Sequence, residues 1–198
     1  TSPLLTTLEA QNLIWRSVAS AAFQGRVLAQ QIYNHGIRNL SILNRDDAYG
    51  NGLTNVLIPR FTELGGTILS KVTYPANTTQ FSPYIEQMLA LGPPEGLALL
   101  GFGFEGSAIT VELAAYHLSP APTLFGADSV KSRGFLDNAS TLALGMYGTA
   151  PTPPQTAPGY LHYYNGYIAE TGIAPGVYGS NAYDAVYLYA LAMQKAGS

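Results

Sequence analysis

The chain contains no cysteine among its 198 residues. Disulfides, thiolate catalysis and zinc–thiolate sites are therefore excluded. Charge is scarce: Asp, Glu, Lys and Arg make up 11% of the sequence, against roughly 25% in an average soluble domain. The net charge is -3. That balance leaves no basic footprint for nucleic acid and no Lys/Arg cluster for an anionic membrane surface. Long apolar runs are missing too. Stretches such as Gly96 to Phe104 fall far short of the roughly 20 residues a spanning helix needs. The first residues, Thr1-Ser2-Pro3-Leu4-Leu5, lack the basic start and cleavage site of a signal peptide. The three histidines, His35, His117 and His162, are scattered, so neither His-x-x-x-His spacing nor an EF-hand pattern is present. No Gly-x-Ser-x-Gly elbow marks a hydrolase. No metal, no cofactor and no catalytic group is expected.

What is abundant is apolar side chain, 47% of the chain, enough for an α/β domain with a real core. Short β-branched runs alternate with longer stretches whose apolar residues stand three and four apart. This alternation predicts strand–helix units around an open parallel sheet flanked by helices. Strands are expected at Leu13–Val18, Leu40–Leu43, Thr67–Tyr74, Gly96–Leu100, Thr123–Gly126 and Leu142–Tyr147. Helices are expected at Ser20–His35, after Asp46-Asp47 with Pro59 inside, at Phe81–Leu91, Ser107–Leu118, Pro158–Thr171 and Asn181–Lys195. The first carries Phe23, Val27, Leu28 and Ile32 on one face, and the last carries Tyr183, Val186, Tyr187, Ala190 and Met193 on one face. Thr149 to Pro158 holds four prolines and reads as a crossing or linker. The chain thus divides into residues 1–148 and residues 149–198. In open parallel sheets ligands bind beyond the carboxyl ends of the strands. The residues of interest therefore follow Leu43, Leu100, Gly126 and Met146.

Several ordered segments resemble the type I periplasmic binding proteins of the branched-chain amino acid (Leu/Ile/Val) class. They are Asn12 to Val18, the acidic-Tyr-Gly turn Asp46-Asp47-Ala48-Tyr49-Gly50, Leu64-Gly65-Gly66 leading into Thr67, Thr79-Gln80-Phe81-Ser82, and Asn181-Ala182-Tyr183-Asp184-Ala185-Val186. The resemblance implies a non-enzymatic, extracytoplasmic protein that binds a small amino-acid or amide ligand and hands it to the membrane permease of an ABC importer. It implies a periplasmic location and a monomer at full length. Residues 1–148 would form the second lobe. Residues 149–198 would form a hinge crossing and part of the return to the first lobe. Most of that first lobe would lie upstream of Thr1. Lobe closure would turn on crossings near Ala10 and Thr149. A ligand-sensing receptor domain of the same fold is the alternative job.

By the same resemblance Tyr49 lines the cleft, and Asp128 stands where the family places a Glu that holds an α-amino group. Phe104 and Glu105 follow the strand ending at Leu100, and Tyr178 comes from the return segment. Each has a plainer reading beside it. Tyr49 could be a surface residue next to a helix cap, and Asp47 suits that cap. Asp128 could cap the turn near Val130, Glu105 could favour a helix N-terminus, and Tyr178 could pack in the hinge. Gly101-Phe102-Gly103-Phe104-Glu105-Gly106 is a Gly-x-Gly-x-x-Gly after a strand, with Asp128 downstream. Read alone it marks a dinucleotide-binding oxidoreductase. It comes after about three strand–helix units rather than opening the first. Gly103 then serves to let backbone approach a ligand or a helix.

Overall fold

The structure is a computed structural model that describes Leu5 and residues 13–197. The described residues fall into two compact units. One comprises Leu5 and residues 20–149, the other residues 13–19 and 150–197.

The first unit is a five-stranded sheet, every paired neighbour parallel. Its strands are β1 (Asn39–Arg45), β2 (Thr67–Tyr74), β3 (Gly96–Leu100), β4 (Thr123–Gly126) and β5 (Tyr147–Gly148). Its helices are α1 (Ala21–Asn34), α2 (Gly50–Glu63), α3 (Ser82–Leu89), α4 (Gly103–Ala114) and α5 (Arg133–Ala139). The strand order is β2-β1-β3-β4-β5. The chain steps outward from β1 to β2, then returns past β1 to build the other half. The order therefore reverses between β1 and β3, the place where open parallel sheets hold a ligand beyond their carboxyl ends.

Strand periodicity assigns side chains to two faces. Leu40 and Ile42 of β1 join Ala98, Leu100 and Phe125 in one core, closed by Leu28 and Ile32 of α1 and Leu53, Leu57 and Phe61 of α2. Leu43 joins Val72, Leu97 and Leu99 in the other, closed by Ile85 and Met88 of α3 and Ile109 and Leu113 of α4. Both faces of the sheet are covered, so its central strands read as near-continuous apolar runs. Local signals set the helix ends. The Ser20 hydroxyl accepts from the Ala22 amide at the start of α1, and Gly36 leaves it with φ +85°, a conformation glycine adopts without steric cost. The carboxylate of Glu112, on α4, takes the Phe81 amide and the Ser82 hydroxyl and so caps α3 from a neighbouring element.

Four expectations need correction. Leu13–Val18 is not a strand: an extended run becomes one only beside a partner edge, and no described strand pairs with it. The helix expected at Ser107–Leu118 occupies Gly103–Ala114. It starts early because the Glu105 carboxylate accepts from the Phe102 amide at 2.7 Å. It stops early where His117 turns to φ +48° ahead of Pro120. Leu142–Tyr147 contributes only Tyr147 to β5. Gly145, at φ +80°, breaks the extended run, and residues 140–143 form a 3-10 turn. Phe23, placed on the apolar face of α1, is 65% exposed.

The second unit holds α6 (Pro158–Thr171) and α7 (Gly179–Ala196). The rings of Tyr163 and Tyr183 meet between them at 5.0 Å, and the Asn181 amide donates to the Ser17 carbonyl at 2.7 Å. The apolar face read on α7 is not buried among the described residues. Val186 is 69% and Met193 50% exposed. No described helix is long and apolar enough to cross a membrane.

Candidate functional site

Polar side chains gather where the strand order reverses. β1 ends at Arg45 and the chain turns through Asp46-Asp47 into α2. The Asp47 carboxylate accepts from the amides of Tyr49, at 2.9 Å, and Gly50, at 2.7 Å. It thus serves as the helix cap, satisfying donors that a helix start leaves open. Gly50 must be glycine, because a Cβ there would strike the Arg45 carbonyl. This tight start fixes where the Tyr49 ring lies.

The Tyr49 hydroxyl lies 3.0 Å from Asp128 Oδ1 and 2.9 Å from Ser129 Oγ. Asp128 and Ser129 sit in the 3-10 turn Asp128–Val130 that directly follows β4. The Ser129 hydroxyl donates to the carbonyl of Gly101, just past β3. Loop tips after β1, β3 and β4 therefore meet in one hydrogen-bonded cluster. Asp128 is 6% exposed, and a polar group so buried is costly without hydrogen-bond partners.

A second cluster adjoins the first. Arg45 Nη1 donates to Glu105 Oε1 at 2.9 Å, and its Nε lies 3.0 Å from Asp47 Oδ2. The latter is a charge contact without hydrogen-bond alignment. The guanidinium lies 4.8 Å from the centroid of the Phe102 ring, a cation–π placement. Tyr49 and Phe102 have ring centroids 5.6 Å apart. Phe102 is 42% exposed, so an aromatic surface lies beside the carboxylate.

Of the residues singled out from sequence, Tyr49 and Asp128 are brought together. Glu105 is turned inward, spent on Arg45 and the Phe102 amide. Phe104 is 64% exposed on the first turn of α4. Gly103 opens α4, and a Cβ there would overlap the Ser132 hydroxyl. Gly101 and Gly106 are equally constrained, by Tyr74 and by Val130. The Gly-x-Gly-x-x-Gly run thus has a packing reason at each glycine. Tyr178 belongs to the second unit, at the N-cap of α7. Sequence reasoning passed over Arg45, Phe102 and Ser129. The Phe of the glycine run was visible as an aromatic at a strand end, but the other two become notable only through partners far along the chain. Among the described residues no cluster of His, Asp or Glu is arranged to hold a metal ion. A separate cavity of about 490 Å³, lined by Leu113, Leu124, Leu144 and Met146 among others, opens beside the amino end of β4, away from these polar groups.

An open parallel sheet with polar groups converging at its switch point is the architecture of a ligand-binding lobe. The chain belongs to the periplasmic binding protein family, whose sequence model matches residues 3–198. This is a family of solute-binding proteins, not of enzymes. The crystal structure of the leucine binding protein LivK from Thermotoga maritima superposes with a TM-score of 0.88 at 22% identity, covering 100% of this chain and 56% of that one. A solute binding protein of an ABC transporter from Rhodopseudomonas palustris, solved with 3,4-dihydroxybenzoic acid, gives a TM-score of 0.73 at 22% identity, covering 92% of this chain and 50% of that one. A protein of Methanocaldococcus jannaschii described as uncharacterized is 25% identical over 100 residues, 48% of this chain and 24% of its own. The chain spans about half the length of the solved proteins it resembles.

Proposed function

We propose that this chain binds a small amino-acid-like solute outside the cytoplasm and, in the full-length protein, delivers it to the membrane permease of an ABC importer. The observation that carries the reading is the carboxylate of Asp128 beside the phenol of Tyr49, near the carboxyl ends of the strands where their order reverses between β1 and β3. A carboxylate there suits a ligand ammonium, through a charge-assisted hydrogen bond. The exposed edge of Phe102 and the ring of Phe104 offer apolar contact to the rest of such a ligand. Residues 1–148 serve as the ligand-gripping lobe, and residues 149–198 as the crossing and return. Closure turns on the crossing near Thr149; the second crossing, near Ala10, lies outside the described residues. Tyr178 enters as a contact by family resemblance alone. A sensor role without transport keeps the same site.

A second reading has its own support. Two solved relatives from Rhodopseudomonas palustris hold 3,4-dihydroxybenzoic acid and benzoate, so an aromatic acid is the competing ligand. The two differ in charge where Asp128 stands: an ammonium is attracted and a carboxylate repelled.

Calorimetry on the full-length protein separates them, with a panel of amino acids and amides, benzoate and NAD. The expected result is saturable amino-acid binding, weakened at least about tenfold by Asp128→Asn, the scale of a lost hydrogen bond to a charged group. Benzoate binding that tightens in Asp128→Asn, with no amino acid bound, selects the aromatic-acid reading. NAD binding abolished by Gly103→Val would restore the dinucleotide reading.

A further inference from the structure

The ladder between β4 and β5 is short. It joins only Phe125 to Tyr147 and Gly126 to Gly148. Before Tyr147 the chain leaves the extended form. Residues 140–143 wind into the 3-10 turn, and Ser140, at φ +49°, and Gly145, at φ +80°, bracket the segment that carries Leu142 and Leu144. This segment stands off from Thr123 and Leu124 at the start of β4, and the space between them is the cavity of about 490 Å³. Leu113 of α4, Leu124 and Met146 line it from the core on that face of the sheet. Leu142 and Leu144 line it from the solvent side, 44% and 80% exposed. None of the lining residues is Asp, Glu, Lys or Arg, and His117 supplies the one imidazole.

We propose that this cavity is a second binding site, for a small uncharged apolar molecule whose single polar head meets the His117 imidazole. Its volume falls within the range of small-molecule pockets, about 300–1,000 Å³. A charge brought in here would lose water without gaining a charged partner. An apolar body instead leaves water for Leu113, Leu124 and Met146, and covers the two solvent-side leucines. A neutral imidazole donates one hydrogen bond and accepts one, which suits a hydroxyl head. The site is independent of the solute reading. It lies beside the amino end of β4, whereas Asp128 follows the carboxyl end of that strand.

The test uses the full-length protein and three probes of one chain length: 1-octanol, octanoate and octylammonium. Binding is read by NMR from the methyl signals of Leu113, Leu124 and Met146. Titration with 1-octanol should shift these signals saturably. The two charged probes should bind at least about tenfold more weakly, since each brings a charge that finds no partner. Leu144→Ser should weaken 1-octanol about fivefold, part of what burying one leucine contributes. That side chain is exposed, so the substitution leaves the core intact. Ala114→Trp, at an exposed lining position on α4, should fill the cavity and abolish the response. Should it not fold, Ala121→Trp fills the same space from the loop before β4. No saturable shift in the wild type overturns the proposal, as when the rest of the full-length chain or a second copy already covers the cavity. A response that survives the filling variants places 1-octanol elsewhere and overturns it too. Equal binding of the three probes overturns the assignment to uncharged ligands.

Discussion

The hydroxyl of Tyr74 lies directly against Gly101, so close that a Cβ on that glycine would overlap it. The tyrosine comes from the end of β2 and the glycine from the turn that follows β3. The loop that leads to Phe102 and accepts the Ser129 proton therefore rests on a buried phenol. That phenol is fully buried and its oxygen finds no hydrogen-bond partner among the described residues.

Gly101→Ala should therefore be among the most damaging single-methyl additions in the first unit. The obstacle is the rigid end of a packed ring rather than a flexible chain. A loss of about 1–3 kcal/mol is expected, the usual cost of overpacking. Gly134→Ala, where an added Cβ meets nothing within 4 Å, is the control and should stay within about 0.5 kcal/mol. Urea denaturation of the two variants checks the contrast.

Tyr74→Phe should be neutral or stabilising. It removes a buried donor that has no acceptor among the described residues and keeps the ring that packs edge-on against Phe81 at 5.1 Å. Deleting an unsatisfied polar group while preserving shape carries little cost. Burial, with Glu105 adding repulsion, pushes the phenol above its ordinary range. The native state thus favours the neutral form. Its contribution is complete below about pH 10, the unfolded tyrosine value, and is lost as pH rises beyond it. Denaturation midpoints measured from pH 8 to 11 should fall less steeply in Tyr74→Phe than in the wild type.

Glu95→Gln should remove part of the acid sensitivity of the first unit. The Glu95 carboxylate accepts from the Arg38 amide at 2.6 Å and the Asn39 amide at 3.0 Å. These bonds hold it below the usual carboxylate range. The stabilisation is present above about pH 4.3, the unfolded value, and is lost as pH falls through the lower folded value. Thermal unfolding followed between pH 6 and 3 should show a shallower decline in Glu95→Gln. A slope equal to that of the wild type would show that this carboxylate does not stabilise the fold.

Asp47→Ala should cost about 1 kcal/mol, the typical value of a helix cap, because two amides at the head of α2 lose their acceptor. It should also loosen the Tyr49 turn, seen as faster amide hydrogen exchange at Tyr49 and Gly50. Asp47→Asn, which keeps an acceptor oxygen, should recover most of the stability.

Much of the sheet was legible before any coordinates. The bounds of Thr67–Tyr74, Gly96–Leu100, Thr123–Gly126 and Pro158–Thr171 match the elements found, because Gly and Pro at or beside their ends mark where each apolar segment starts or stops. The failures share one cause. Leu13–Val18 and Leu142–Tyr147 have strand-like composition, but a strand is a relation between two segments, and composition reports only one. The start of α4 moved because a single carboxylate, Glu105, caps an amide three residues before it.

The candidate site divides the same way. Tyr49 and Asp128 were legible because a strand-end rule needs only the strand ends. Arg45, Phe102 and Ser129 were not, since each matters through a partner supplied by another loop.

The amino-acid order by itself determined most of the element types, the two-faced parallel sheet and the positions at which loops leave its carboxyl edge, because hydrophobic period and turn residues act locally. Only the tertiary structure decided which loop tips touch, which glycines are obligatory and where Glu105 and Ser129 spend their hydrogen bonds. Those outcomes depend on strand order, and strand order brings together residues some 80 positions apart, such as Tyr49 and Ser129.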